Sequence, residues 1–265
     1  MRDLFNGERV LAGVIHLQAM PGTPHNSHTP QQIVEQALAE AEVLASAGFD
    51  AIVLENMHDR PYLNKEVGPE VVATMARACA EVRRLTDLPI GIQVLAGANE
   101  QAIAVAHGGG GDFVRVEGYV FAHVADEGLI ESSAGSLLRY RKMIGADRVK
   151  VLCDIKKKHS AHAITADVDL AETARAAEFF SADGVVVTGA ATGSKTNPQE
   201  VLDTVEATSL PVWIGSGITL DNFRLYEEAH GLIVGSWLKE DGDWRRPVDR
   251  ERCLRLADAF KASYH

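Results

Sequence analysis

Three cysteines in 265 residues, Cys79, Cys153 and Cys253, lie far apart with no CxxC pair. That excludes a disulfide framework and a zinc knuckle, and suits reduced, mostly buried thiols. No apolar run approaches the roughly 18 residues a membrane helix needs, and the opening MRDLFNGERVLAGVIHL has the wrong order for a signal peptide. No integral membrane segment is expected, and a cytoplasmic location is. Basic residues are outnumbered 37 to 26 by acidic ones, a formal charge of −11, which argues against broad contact with nucleic acid or an anionic membrane. A P-loop, a dinucleotide fingerprint and a convincing nucleophile elbow are all missing. Walker-type, nicotinamide and serine-hydrolase chemistry lose their supports, and no cofactor is expected. What remains, 46% hydrophobic and 24% charged residues, is an ordinary globular composition.

Short apolar runs alternate with amphipathic stretches along the whole chain. The strand-like runs are 10–17, 50–56, 89–95, 112–117, 148–155, 184–189, 211–217 and 231–236. Each is short, β-branched and bounded by Gly, Pro or Asp, as strands buried on both faces are. Helical periodicity fills 30–47, 69–86, 98–107, 133–144, 167–181, 198–207, 220–229 and 249–262. Thr29 before Pro30, Asp167 and Thr219 are the expected helix starts. Eight strands alternating with eight helices predict a (β/α)8 TIM barrel forming one domain over 1–265, rather than a doubly wound sheet of five or six strands. The GGGG at 108–111 reads as a flexible turn on the stability face. Helix-to-strand connections are short, whereas 18–29, 118–132, 156–166 and 190–197, which follow strands, are long. Barrels gather their chemistry on that side.

Side chains two apart on a strand share a face. Lys150, Leu152 and Asp154 therefore line up, as do Phe113, Arg115 and Glu117, Val53 and Glu55, and Val14 and His16, with Gln93 ending a similar series. If that face is the interior, His16, Glu55, Gln93, Arg115, Glu117 and Asp154 converge on one cavity. A buried Arg115 needs a carboxylate partner. The set is either a structural ion network or an acid–base site in which Glu55, Glu117 or Asp154 moves protons. In DIKKKHSAH (154–162), Lys156 can orient an anionic substrate or, if desolvated, act as a Schiff-base nucleophile. Lys157, Lys158, His159 and His162 would add a positive patch, and the two histidines lack a third ligand for a metal site. Gly215-Ser216-Gly217 and Gly235-Ser236 close strands seven and eight, where backbone N–H groups can ring a phosphate. Gly189, expected to join that phosphate site, precedes AATGSKTN (190–197), whose Lys195 is expected to close over the substrate that Thr188 also contacts. The first loop, 16–26, is expected to fold over the mouth and bring His25 to the substrate; alternatively Met20 merely plugs the barrel top.

GVIHLQAMPGTP (13–24), DAIVLENMHDRPY (50–62), GIQVLAGAN (91–99), DFVRVEGYVF (112–121), VLCDIKKKHSAH (151–162), VVVTGAATG (185–193) and WIGSGIT (213–219) together resemble the BtpA family, which includes the SgcQ-like proteins, over nearly the whole chain. The resemblance implies a barrel of the phosphate-binding type. That family takes its name from a cyanobacterial factor for photosystem I biogenesis, peripheral to the photosynthetic membrane. Other members look like metabolic proteins of sugar or nucleoside pathways. Some carry a nucleoside triphosphatase label, which the missing P-loop does not support here. One hypothesis is an enzyme acting on a small, anionic, phosphorylated sugar or ribosyl metabolite by isomerase, lyase or glycosyl-transfer chemistry. The other is a non-catalytic biogenesis or stability factor for a membrane complex such as photosystem I, which calls for an exposed apolar patch instead of a polar cavity. The polar strand ends favour the enzyme, fold alone does not decide, and homo-oligomerisation stays open.

Overall fold

Eight parallel strands close on themselves: β1 (Val10–His16), β2 (Ala51–Glu55), β3 (Ile90–Gln93), β4 (Phe113–Val116), β5 (Lys150–Asp154), β6 (Gly184–Val187), β7 (Val212–Ile214) and β8 (Gly231–Val234), each paired with its neighbours in chain order and β8 with β1. The computed structural model describes residues 1–156, 159–189 and 195–264. The positive patch expected at Lys157 and Lys158, and residues 190–194 of the sixth loop, lie outside them. All eight strands fall inside the runs read from sequence, and all but the first residue of β5 are buried.

Among the described residues seven α-helices wrap the barrel: α1 (Pro30–Ala47), α2 (Pro69–Leu85), α3 (Asn99–Gly109), α4 (Ala134–Met143), α5 (Leu170–Phe179), α6 (Pro198–Ala207) and α7 (Arg250–Tyr264). Thr29 caps α1 through a reciprocal pair of bonds with Gln32. Two expected starts move. Asp169 rather than Asp167 caps α5, accepting the Glu172 N–H at 2.6 Å. The helix expected over 220–229 is only a 3-10 turn, Phe223–Tyr226. Asn222 competes with helix formation there, because its side chain accepts from the Thr219 N–H and donates to the Gly217 carbonyl, each at 2.8 Å.

Alternation along the strands separates two cores. Val14, Val53, Phe113, Leu152, Val186 and Trp213 fill the lower barrel interior, while Ile15, Ile52, Ile92 and Val114 face the helices in a larger cluster. Gly91 and Gly231 make room for the two large interior rings: a Cβ on either would stand 2.3 or 2.4 Å from Phe113 or Trp213. The glycines at 108–111 are not a loose turn. A Cβ on Gly109 would lie 2.6 Å from that of Cys79 on α2, so this run lets α3 pack closely on α2. Burial raises the Cys79 and Cys253 thiols to about 12 and also raises Cys153, which keeps all three protonated.

The long loops after β4 and β5 build a feature that periodicity did not announce. His123–Ala125 and Gly128–Ile130 form an antiparallel hairpin, and Ser160–Ala161 pairs with its first strand. This small sheet stands beside the barrel mouth. No helix among the described residues is long and apolar enough to cross a membrane. Gly91→Ala is expected to lower stability by about 1–3 kcal/mol through overpacking against Phe113, read as a lower urea midpoint at unchanged slope; a wild-type midpoint contradicts the packing account.

Candidate active site at the barrel mouth

Because Val14, Val53, Phe113 and Leu152 point inward, the residues two further on do so as well. His16 is the register partner of Glu55, and Glu55 of Gln93, across β1, β2 and β3. All six residues expected to converge, His16, Glu55, Gln93, Arg115, Glu117 and Asp154, are buried, at 3–7% exposure. The Gln93 amide donates to Glu117 Oε1 at 3.3 Å. Asn99, the first residue of α3, fixes the backbone of Glu117 by donating to its carbonyl at 2.7 Å and accepting its N–H at 3.3 Å.

Arg115 donates twice to Asp154, Nε to Oδ1 at 2.9 Å and Nη2 to Oδ2 at 3.0 Å. Burial works against the guanidinium charge. Asp154, followed by Glu55 and Glu117, outweighs it and holds the Arg115 pKa above its ordinary value. This bidentate geometry fixes the plane of the cation. It also corrects the expectation that Asp154 exchanges protons: both of its oxygens are committed, and its side chain is 1% exposed. On β7, Gly215 lets the cation approach, since a Cβ there would lie 2.6 Å from Arg115 Nη2.

Two chambers meet at Glu55 and Met57. The first, about 170 Å³, is walled by Gly215, Ser216, Gly217, Gly235 and Ser236 together with His16 and Arg115. Gly217 has φ +71°, and the N–H groups of Gly217 and Ile218 enter none of the backbone hydrogen bonds of the described turns and loops. Gly189 is not in this wall; its N–H donates to Ser216 Oγ at 2.8 Å and braces the chamber from behind. The second chamber, about 480 Å³, is lined by Tyr62, Leu95, Gln93, Glu117 and Trp244, with Asp126 and Glu127 from the hairpin turn at its edge. His16 Nδ1 lies 2.9 Å from the Trp244 carbonyl. A carbonyl only accepts, so Nδ1 carries the proton, and Nε2 faces the Gly235 backbone, 3.0 Å from where a Cβ would stand. The Arg60 guanidinium covers the Trp244 ring at 4.7 Å, and the His58 ring lies 5.1 Å away.

Several expected residues sit elsewhere. Lys156 is no desolvated nucleophile: it is half exposed and paired with Glu200 at 3.2 Å. It borders a third cavity of about 350 Å³ under the small sheet, shared with His123 and His162. His162 stacks near His123 at 5.5 Å, whereas His159 borders the aromatic chamber, so the two histidines do not act together. Thr188 is buried and donates its hydroxyl to the Lys156 carbonyl at 2.6 Å instead of facing a substrate. Lys195 is exposed. The first loop does not carry His25 inward. Asp59 Oδ1 accepts the Met20 N–H at 2.6 Å and the Thr23 hydroxyl at 3.1 Å, leaving His25 exposed and Met20 packed in the cluster beneath the helices. Sequence reasoning passed over Met57, Arg60, Tyr62 and Trp244. The available signals were the distinctive 50–62 block and the rarity of tryptophan, three in the chain.

Fold and site together define a TIM barrel whose polar groups gather at the carboxyl ends of its strands. Residues 7–262 match the BtpA family, and the chain belongs to it. A mitochondrial protein of Caenorhabditis elegans is 45% identical over 96% of this chain and 94% of its own length. The photosystem I biogenesis protein BtpA of Synechocystis is 35% identical over 97% and 89%. Among solved structures, KGPDC from Streptococcus mutans superposes with a TM-score of 0.60 at 10% identity, covering 97% of this chain and 100% of its own. Thiamine phosphate pyrophosphorylase from Pyrococcus furiosus gives 0.59 at 15% identity, covering 99% and 100%. Those likenesses establish the barrel.

Two outcomes follow from the buried charges. Asp154→Asn is expected to cost about 3 kcal/mol of unfolding free energy, because it leaves the Arg115 charge without its counter-ion; an unchanged denaturant midpoint contradicts this. His58 is pushed down to about 4 by burial, then by Lys239, Arg60 and His28. The unfolded chain therefore takes up a proton near pH 6.5 that the folded chain refuses, and His58 makes stability fall as pH drops from 6.5 toward 4. His58→Gln should flatten that slope in urea melts, and identical slopes contradict it.

Proposed function

We propose that the protein is an enzyme acting on a small phosphorylated sugar or ribosyl metabolite. The observation that carries this reading is the glycine-walled chamber, whose lining brings Gly217 and Ile218 of the β7 turn, with N–H groups outside the backbone hydrogen bonds, together with a fixed arginine. Neutral N–H groups and one buried cation suit a compact anion such as a phosphoryl group. Asp154 serves as the positioning residue that keeps Arg115 charged and oriented. Proton transfer falls to Glu55 and His16, which stand side by side at the junction of the chambers; with Nδ1–H held by the Trp244 carbonyl, His16 turns Nε2 toward Gly235 in the wall of the glycine chamber. One takes a proton while the other returns it, which serves isomerase, lyase and glycosyl-transfer chemistry alike.

A second reading, a non-catalytic assembly factor, draws support from Phe179 and Phe180. They lie 5.7 Å apart and exposed at the end of α5 remote from the mouth, with Phe179 84% exposed. The name of the Synechocystis relative points the same way. Against it stands the polar cavity, which an assembly factor has no need to maintain.

Millimolar inorganic phosphate or ribose 5-phosphate is expected to raise the melting temperature of the wild type. Ser236→Asp, at a partly exposed wall position, is expected to abolish that rise by placing a carboxylate in the chamber. Equal shifts in both proteins overturn the anion assignment. Glu55→Gln should retain the phosphate-induced shift while losing turnover of any substrate found; retained turnover removes Glu55 from the mechanism.

A further inference from the structure

The two chambers differ in character, and the difference specifies the two ends of one ligand. The glycine chamber joins the glycine turns after β7 and β8 to a cation. The larger chamber presents Tyr62, Leu95 and Trp244 as apolar walls, with carboxylates of Glu55, Glu117, Asp126 and Glu127 along its lining and Arg60 stacked on Trp244. A second phosphate would be repelled by the Glu55 carboxylate at the junction of the chambers. A flat, uncharged or proton-donating group would not.

Gln93 sharpens this. Its side chain is 3% exposed and its amide nitrogen is used on Glu117 Oε1. Its Oε1 is a buried acceptor with no hydrogen-bond partner. Because the neighbouring carboxylate can only accept when ionised, the orientation of the amide is set, and Oε1 is the atom left over. An acceptor buried in that state costs free energy unless a ligand supplies a donor. Beside it, the Trp244 backbone accepts from His16, which ties the indole to the residue proposed to move protons.

We propose that the second chamber binds a planar nitrogen heterocycle carrying an N–H donor for Gln93 Oε1, so that the substrate is of the nucleoside 5′-monophosphate class. The phosphate occupies the glycine chamber, the ring lies against Trp244 and Tyr62, and the ribose between them passes Glu55 and His16. The volume of about 480 Å³ falls in the range of small-molecule sites, and base–aromatic stacking supplies affinity that any flat ring can use. This rests on the anion reading above and adds the identity of the other end.

Isothermal titration calorimetry with inorganic phosphate, ribose 5-phosphate, and adenosine, guanosine, cytidine and uridine 5′-monophosphates separates the two claims. At least one nucleotide is expected to bind about tenfold or more tighter than ribose 5-phosphate, in line with the worth of one stacked base. Trp244→Ala and Gln93→Leu are each expected to erase that increment and leave ribose 5-phosphate affinity as it was. Gln93→Leu roughly keeps the volume and removes the acceptor together with the bond to Glu117, so a lost nucleotide increment beside retained ribose 5-phosphate affinity decides the matter if Trp244→Ala does not fold. Equal affinity for ribose 5-phosphate and every nucleotide overturns the heterocycle proposal while the anion reading stands. Failure of phosphate and ribose 5-phosphate to bind, whatever the nucleotides do, removes the anion reading.

Discussion

A guanidinium inside a β-barrel is tolerable only with a carboxylate that takes its donors in a fixed geometry, and Arg115 with Asp154 meets that requirement. The pair is nearly sealed from solvent, so breaking it would leave a bare charge in a low-dielectric interior. Much of the site follows from this constraint. Arg115 is held as a permanent cation, its plane is set by two parallel hydrogen bonds, and Gly215 allows it to lie against the β7 backbone. Below it the barrel is hydrocarbon, with Phe113 and Trp213 at the floor. Above it the polar strand ends stand in one ring.

The ring is held by a second tier of contacts from outside the barrel. Asn99 grips the backbone of Glu117, and Asn56 does the same for Leu95, accepting its N–H at 2.7 Å while donating to Asp59 at 2.9 Å. Lys239, wholly buried, donates to Glu40 and to the Val14 carbonyl, fastening the segment after Ser236 to the strand that carries His16. Strand ends that would otherwise fray are thus fixed by side chains with no direct part in binding. Preorganisation of this kind is what a site needs if it is to favour charge redistribution without first rearranging.

The eight strands and the inward set His16, Glu55, Gln93, Arg115, Glu117 and Asp154 were legible because alternation is a strictly local property: a residue two positions past Phe113 points with Phe113 wherever the strand goes. What lay beyond local periodicity was lost. The path of the first loop depends on Asp59, more than thirty residues away, so His25 gave no hint that it points to solvent. The pairing of Lys156 with Glu200 joins the loop after β5 to the first turn of α6. Trp244 follows the last strand in a segment without period, and it is held at the mouth by the bond between its carbonyl and His16 and by Arg60 and His58 against its ring. Asp154 was found in the right place with the wrong task, since position on a strand says nothing about whether both carboxylate oxygens are taken. The 3-10 turn at Phe223–Tyr226 was read as a helix because a side-chain hydrogen bond from Asn222 is invisible to periodicity.

Whether the glycine chamber receives an anion facing Arg115 decides the function proposed for this site. A crystal structure of the protein grown with inorganic phosphate measures this directly. It should contain a tetrahedral anion within hydrogen-bond distance of the Gly217 and Ile218 N–H groups, on the side toward Arg115. An empty chamber at saturating phosphate, with the anion elsewhere on the molecule, would contradict it.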